Sequence, residues 1–198
     1  DVERSRGLGD VYKRQMESDQ VAEAFDFLYK QGKVRNFGVS NQNPMMMELL
    51  KKDVKQPLAV NQLQLSAAFT PGFESGFHVN MEDSQAAIRD GSIFEYCKLH
   101  DVVIQAWSVL QFGYFKGNFV GNEKFQALNQ VLDRLAIKYG VTSSTIAISW
   151  ILRYPAKMQA VVGTTNPKHL REVSQAANFS LTRKEWYEIY LAAGNNLP

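Results

Sequence analysis

With a single cysteine, Cys97, the 198-residue chain has no partner for an intrachain disulfide, which favours a reducing compartment. No apolar run approaches the ~20 residues a membrane-spanning helix needs, and no apolar N-terminal stretch resembles a signal peptide. The formal charge is only +2. So small an excess argues against a nucleic-acid or anionic-membrane partner, and no basic run is interleaved with aromatics. Internal repeats and low-complexity segments are missing too. Together these absences describe a cytoplasmic globular chain with neither nucleic acid nor membrane as partner. A hydrophobic content of 45% and a charged content of 21% suit one domain with a sizeable core.

Residues 1–15, DVERSRGLGDVYKRQ, show no apolar periodicity and no initiating Met. They are expected to be a disordered or non-native extension, with the folded part running over 16–198. From Ser18 onward, Val21, Ala24, Phe25, Leu28 and Tyr29 recur at helical spacing. Ser18 is a candidate N-cap and Gly32 a stop. A strand, NFGVSN, follows. Asn43 and Pro44 open a second helix, and a second strand covers 58–66. Residues 67–84 are expected to form a long loop carrying Phe69, Phe73 and Phe77. A third helix is expected over 85–100, with Gly91 as a possible interruption and Cys97 on its buried face as a structural thiol. A third strand spans 102–110, then a loop rich in glycine and aromatics. Helices are expected over 123–139 and 142–153, a fourth strand over 158–165, a helix from Asn166–Pro167, and a last helix over about 182–193.

Near-continuous apolar strands separated by helices indicate a parallel sheet, with connections long enough for right-handed crossovers. An open doubly wound sheet and a (β/α) barrel both remain. Two features favour the barrel. Polar residues gather at the C-terminal end of every strand, at Ser40/Asn41, Gln62/Gln64, Trp107/Ser108 and Thr164/Thr165, the end where barrels carry their sites. No G-x-G-x-x-G follows any strand, against a Rossmann domain. Four strands are half of an eight-stranded barrel.

Four motifs in order, GKVRNFGVSN, VNQLQLS, IQAWSVL and VVGTTNPKHLRE, give the chain from about residue 18 onward a resemblance to the aldo-keto reductases. It resembles their bacterial oxidoreductase branch most, through Thr182, Arg183, Trp186 and the terminal Pro198. The resemblance implies an α/β fold, the C-terminal half of a (β/α)8 TIM barrel with four parallel strands and their helices. It also implies an NADP(H) site. Ser40, Asn41 and Gln62 match residues that hydrogen-bond the nicotinamide carboxamide. Neutral side chains suit that task, because an amide needs both a donor and an acceptor. Trp107 matches an aromatic under the ring. Ser108 and Leu110 match positions that contact the pyrophosphate. Gly163, Thr164, Thr165, Asn166, Lys168, His169, Arg171 and Glu172 fall in the adenosine-phosphate segment, at a helix N-terminus that favours anions. The positive charge of Lys168, His169 and Arg171 suits a 2′-phosphate, so NADP(H) is favoured over NAD(H).

The chain departs from the family pattern at three places. His169 replaces a common Arg, Gly163 a frequent basic residue, and Val173 a frequent Asn. The family's catalytic Asp, Tyr, Lys and His all precede residue 16 in family order. Asp10, Tyr12 and Lys13 have the right letters with the wrong spacing, and His78 and His100 do not substitute. The expected function is therefore a fragment of a reductase that transfers hydride between NADP(H) and a small carbonyl or alcohol substrate, without the catalytic tetrad. The alternative is a non-catalytic half-barrel that binds a nucleotide or assembles with a partner. The sequence leaves the substrate and the oligomeric state open.

Overall fold

The structure is a computed structural model describing residues 17–77, 84, 91–113 and 116–196. The 1–15 extension, with Asp10, Tyr12 and Lys13, lies outside the described residues, as do His78 and the 85–90 segment.

Helix α1, Ser18–Lys30, does not use Ser18 as its cap. Glu17 holds the N-cap position without a side-chain bond, and the Ser18 hydroxyl donates to Asp53. The tertiary partner displaces the local cap. Gly32, at φ 67°, ends the helix: its N–H bonds Tyr29 O and the Lys33 N–H bonds Leu28 O. Phe25 of α1 stacks on Phe37 at 4.2 Å between ring centroids, which seats the helix against strand β1, Phe37–Ser40. Helix α2, Pro44–Lys51, is capped by Asn43, whose side chain accepts from Met46 N. Strand β2 is Leu58–Gln64.

The expected 67–84 loop is corrected by a short helix, α3, Pro71–Phe77. Gly72 and Gly76 argue against a helix on propensity, but packing overrides them. The Phe73 ring sits 5.3 Å from Phe94 and 5.4 Å from Tyr154. A Cβ at position 72 would lie 2.3 Å from the Phe94 ring, so glycine is what lets α3 approach. The helix expected over 85–100 is described only as α4, Ile93–Leu99. Gly91 and Ser92 just before it sit at φ 65° and 62°, left-handed backbone that a helix cannot continue through.

Strand β3, Val103–Trp107, is shorter than expected because Ser108 turns to φ 54°. A 3₁₀ turn, Glu123–Phe125, leads into α5, Gln126–Tyr139, which stops at Gly140 in left-handed backbone. Thr142 caps α6, Ser143–Leu152. Strand β4, Met158–Ala160, is also shorter than the expected 158–165. Its last ladder bond is Val161 N to Ala106 O, next to where β3 itself turns away. Asn166 caps α7, Pro167–Ser174, a 3₁₀ turn covers Gln175–Ala177, and Thr182 caps α8, Arg183–Ala192.

The four strands run parallel in the order β1-β2-β3-β4. Phe37, Asn61, Leu63, Ile104 and Ala106 are buried on one face, beneath the helices. Gly38, Ser40, Val60, Gln62, Gln64, Val103, Gln105, Trp107 and Gln159 alternate with them and are exposed or half-buried. The core therefore lies between the sheet and its helices. Helix α6 is its centre, with seven of its residues buried on all sides, from Thr145 to Ile151. Trp150 of α6 and Trp186 of α8 stack at 4.9 Å and 9°, and each indole N–H donates to the other's backbone carbonyl at 3.0 Å.

Glu185 closes this side of the core. It completes the Thr182 capping box and accepts from Lys138 at 2.6 Å and from Tyr139 OH at 2.9 Å. Burial works to raise its carboxyl pKa. The Lys138 ammonium, the Thr182 N–H and hydroxyl and the Tyr139 hydroxyl outweigh that and hold it at about 2. A carboxyl depressed in the folded state stabilises the fold above its unfolded pKa, near 4.3, and that stabilisation is lost as pH falls through the folded value. Lys138 is half exposed, so the contribution is on the order of 2 kcal/mol. Denaturant melts should show stability falling between about pH 4.5 and pH 2, and Glu185→Gln should flatten that slope. An unchanged slope in the variant would place the acid sensitivity elsewhere.

Candidate functional site

The strands' register brings residues far apart in sequence to one level. Ser40 lies beside Gln62, Gln62 beside Gln105, and Gln105 beside Gln159. All four point to the open face. Asn41 ends β1 in left-handed backbone at φ 50°, which Asn tolerates better than most residues. Its N–H donates to Gln62 O at 2.8 Å, and the Ser40 hydroxyl reaches the same carbonyl at 3.3 Å. Behind them, on the core side, Asn61 is fully buried. Its Nδ2 donates to Gln42 O at 2.8 Å and its Oδ1 faces Gln42 N at 3.5 Å. This pair pins the turn after β1 against β2, so Ser40 and Asn41 emerge at a fixed height.

Gln62 uses its Nε2 to donate to Gln105 Oε1 at 2.9 Å, and Gln105 in turn donates to Gln159 Oε1 at 2.9 Å. One step further toward the C-terminal ends, Trp107 pairs with Gln64 in the register. Gln64 Nε2 is buried without a hydrogen-bond partner among the described residues. Ser108 then reverses the chain, and its carbonyl accepts from Gln111 N at 2.8 Å. Leu110, half-buried, accepts from Phe119 N at 3.0 Å through its carbonyl.

Beyond β4, Gly163 is exposed and a Cβ there would meet nothing within 4 Å. Thr164 Oγ1 accepts from Asn166 N at 3.2 Å, and Asn166 Oδ1 accepts from Lys168 N at 2.9 Å. Thr165 is exposed. Lys168, His169 and Arg171 are exposed along α7, and Glu172, half-buried, accepts from Thr145 through its carbonyl at 2.9 Å. Lys168 and His169 stand in the first turn of α7, and Arg171 lies in its last turn. The residues singled out in sequence thus form two groups: Ser40, Gln62 and Trp107 on the open sheet face, with Asn41 at the end of β1 and Ser108 and Leu110 just after β3, and the 163–172 segment after β4.

Gln105 and Gln159 had not been singled out in the sequence. The signal was present in NQLQ, IQAW and MQAV, which put a glutamine on the same parity of three successive strands.

A second cluster lies at the strands' N-terminal end. Tyr96 donates to Glu48, Lys51 reaches Glu48 at 2.7 Å and Tyr96 at 3.2 Å, and His100 lies 4.3 Å from the Tyr96 ring. Partial burial raises the Tyr96 phenol, with Glu48 adding to it, which makes it a poorer proton donor. Cys97 is fully buried, and that burial pushes its thiol up to about 11, in keeping with a structural thiol. Among the described residues, no group of three or more His, Cys, Asp and Glu could hold a metal, and no single helix is long and apolar enough to cross a membrane.

Comparison with known proteins gives a consistent picture. The model of the aldo/keto reductase family matches residues 10–192. A 6-dehydroglucose reductase of Agrobacterium fabrum is 29% identical over 179 residues, 90% of this chain and 53% of that protein. The oxidoreductase YdhF of Escherichia coli is 30% identical over 185 residues, 92% of this chain and 55% of that protein. The chain thus spans about half the length of the curated relatives it matches. The crystal structure of the thermostable aldo-keto reductase Tm1743 with epalrestat superposes with a TM-score of 0.66 at 22% identity, over 90% of this chain and 56% of that one.

The left-handed turn at Asn41 sets the height of the whole polar group. Asn41→Gly should be near neutral, whereas Asn41→Val should cost about 1–2 kcal/mol, because a β-branched residue resists positive φ. Urea denaturation of the two variants measures the difference, and equal stabilities would remove the turn as a constraint.

Proposed function

Because the chain belongs to the aldo/keto reductase family, we propose that it is the cofactor-binding half of a reductase barrel. Ser40, Asn41 and Gln62 hold the carboxamide of a nicotinamide ring, and Trp107 lies under that ring. Ser108 and Leu110 meet the pyrophosphate. The segment from Gly163 to Glu172 takes the adenosine phosphate, with Lys168, His169 and Arg171 favouring the 2′-phosphate of NADP(H). A bound NADPH supplies the hydride for a carbonyl substrate, and NADP⁺ accepts one from an alcohol.

The observation that carries this reading is the register that sets Ser40 beside Gln62, on a sheet face left open among the described residues. The groups fit the ligand. A primary carboxamide needs an acceptor and a donor. Among the described residues, Gln62 donates one N–H to Gln105 and its Oε1 takes no partner, and Gln64 Nε2 is a buried, unmatched donor beside Trp107; the Ser40 hydroxyl is exposed. The proton for the carbonyl oxygen comes from a residue of the other half of the barrel. The two tyrosine–lysine–carboxylate groupings among the described residues, Tyr96–Lys51–Glu48 and Tyr139–Lys138–Glu185, stand on helices rather than on the open sheet face, and each has a phenol of raised pKa. Relatives about twice as long support a missing half.

Arg171→Ala should weaken NADPH by roughly 1.5–3 kcal/mol and leave NADH nearly unchanged, because only NADPH carries the 2′-phosphate. Tryptophan fluorescence titration reads both constants, and equal weakening would remove Arg171 from the phosphate site. The chain alone should reduce no aldehyde or ketone with NADPH above background, since losing the general acid costs about 10²–10⁴ in rate. Steady turnover that a substitution in this chain abolishes would refute the division of labour.

A further inference from the structure

The turn that follows β3 is held from outside by a residue that follows β2. Ser108 enters the turn in left-handed backbone at φ 54°, and Gln111 N donates to Ser108 O at 2.8 Å. The chain then runs into a short hairpin, with Gln111 opposite Asn118. Phe119 N donates to Leu110 O at 3.0 Å and Phe112 N to Gly117 O at 3.2 Å. These bonds flank the Gln111–Asn118 pair and make it a non-hydrogen-bonded one, so the Gln111 carbonyl turns away from the hairpin. Ser66, fully buried, meets it: the Ser66 hydroxyl donates to Gln111 O at 2.5 Å. That hydroxyl is itself aimed. Its oxygen accepts from Ala68 N at 3.2 Å, and the Ser66 backbone exchanges two bonds with Phe69, each 3.1 Å.

The inside of the turn is what this bond protects. Among the described residues, the N–H groups of Ser108 and Leu110 donate to no carbonyl or side chain. A turn opened by a left-handed residue gathers nearby N–H groups into a concavity that takes anions. Those donors keep one direction only while both ends of the turn are held. The sheet holds the first end through Leu65 N on Trp107 O at 3.3 Å, and Ser66 holds the second. We infer that Ser66 is a positioning residue whose hydroxyl fixes the Ser108–Gln111 turn, so that the backbone N–H groups of that turn grip the pyrophosphate of a dinucleotide. The inference rests on the cofactor reading above and goes beyond it, since it makes the grip depend on a buried side chain that no ligand touches.

The test is equilibrium binding to the full chain, to Ser66→Ala and to Thr70→Val. Thr70→Val loosens the same loop by removing a different contact, Thr70 Oγ1 to Asn195 at 3.4 Å. The ligands are NADPH, 2′-phospho-ADP-ribose, which keeps the pyrophosphate without the nicotinamide, and adenosine 2′-phosphate, which has no pyrophosphate. Near-UV circular dichroism confirms that each variant keeps its fold. Ser66→Ala should weaken NADPH and 2′-phospho-ADP-ribose by the same factor, about three- to tenfold, and leave adenosine 2′-phosphate within about twofold. Thr70→Val should bind all three like the wild type. Should Ser66→Ala not fold, Ser66→Cys decides: its thiol is a weaker donor and should show the same split at smaller size. Unchanged binding of the two pyrophosphate ligands would overturn the inference and leave the cofactor reading standing. An equal loss of adenosine 2′-phosphate, or an equal loss in Thr70→Val, would overturn it too, because either marks a general loosening. If the wild type binds none of the three, the cofactor reading falls and the inference with it.

Discussion

The buried bond from Asn61 to Gln42 sets where the polar end of the sheet stands. Asn61 faces the core from the middle of β2, where an unpaired amide would cost about 1–3 kcal/mol. The backbone of Gln42 meets it, with Asn61 Nδ2 on the carbonyl at 2.8 Å. That contact holds the turn between β1 and α2 against the neighbouring strand. Asn41 can then take its left-handed backbone, Asn43 can cap α2, and Ser40 can stand level with Gln62. A polar group buried on the covered face thereby controls the geometry of polar groups on the open one.

The two faces of the sheet solve different problems with one period-two alternation. The covered face is sealed by Phe37, Leu63, Ile104 and Ala106 against helices. The open face carries amides, a hydroxyl and one indole. Close approach matters there as well. A Cβ on Gly38 would come within 2.8 Å of both Val60 Cβ and its carbonyl oxygen, so the β1–β2 pairing that aligns Ser40 with Gln62 depends on the absence of a side chain two residues earlier.

Much of this was legible in the sequence because the governing signals are local. Asn43–Pro44 and Asn166–Pro167 announce helix starts, and both asparagines cap; Thr142 and Thr182 cap the helices expected from 142 and from about 182. The sequential parallel strands followed from apolar runs separated by helices. What escaped depended on partners distant in sequence. Ser18 lost its capping role to Asp53, 35 residues away. Helix α3 forms against the propensity of its glycines because Phe73 finds an aromatic pocket built by Phe94, Trp150 and Tyr154. The glutamine row was hidden for the same reason: each glutamine looks like an ordinary polar strand residue until the register aligns the three.

The stacked pair Trp150–Trp186 has a consequence for how the molecule can be watched. Two indoles 4.9 Å apart in nearly parallel planes, each hydrogen-bonded to the other's backbone, couple their electronic transitions. That coupling produces a near-ultraviolet band whose sign and size depend on α6 and α8 staying locked together. Trp107, on the opposite face of the sheet and half exposed, stands outside that pair. The core and the open face therefore carry separate optical signatures within one chain. Loosening of the helical layer and events on the sheet surface can be followed independently, with no label added.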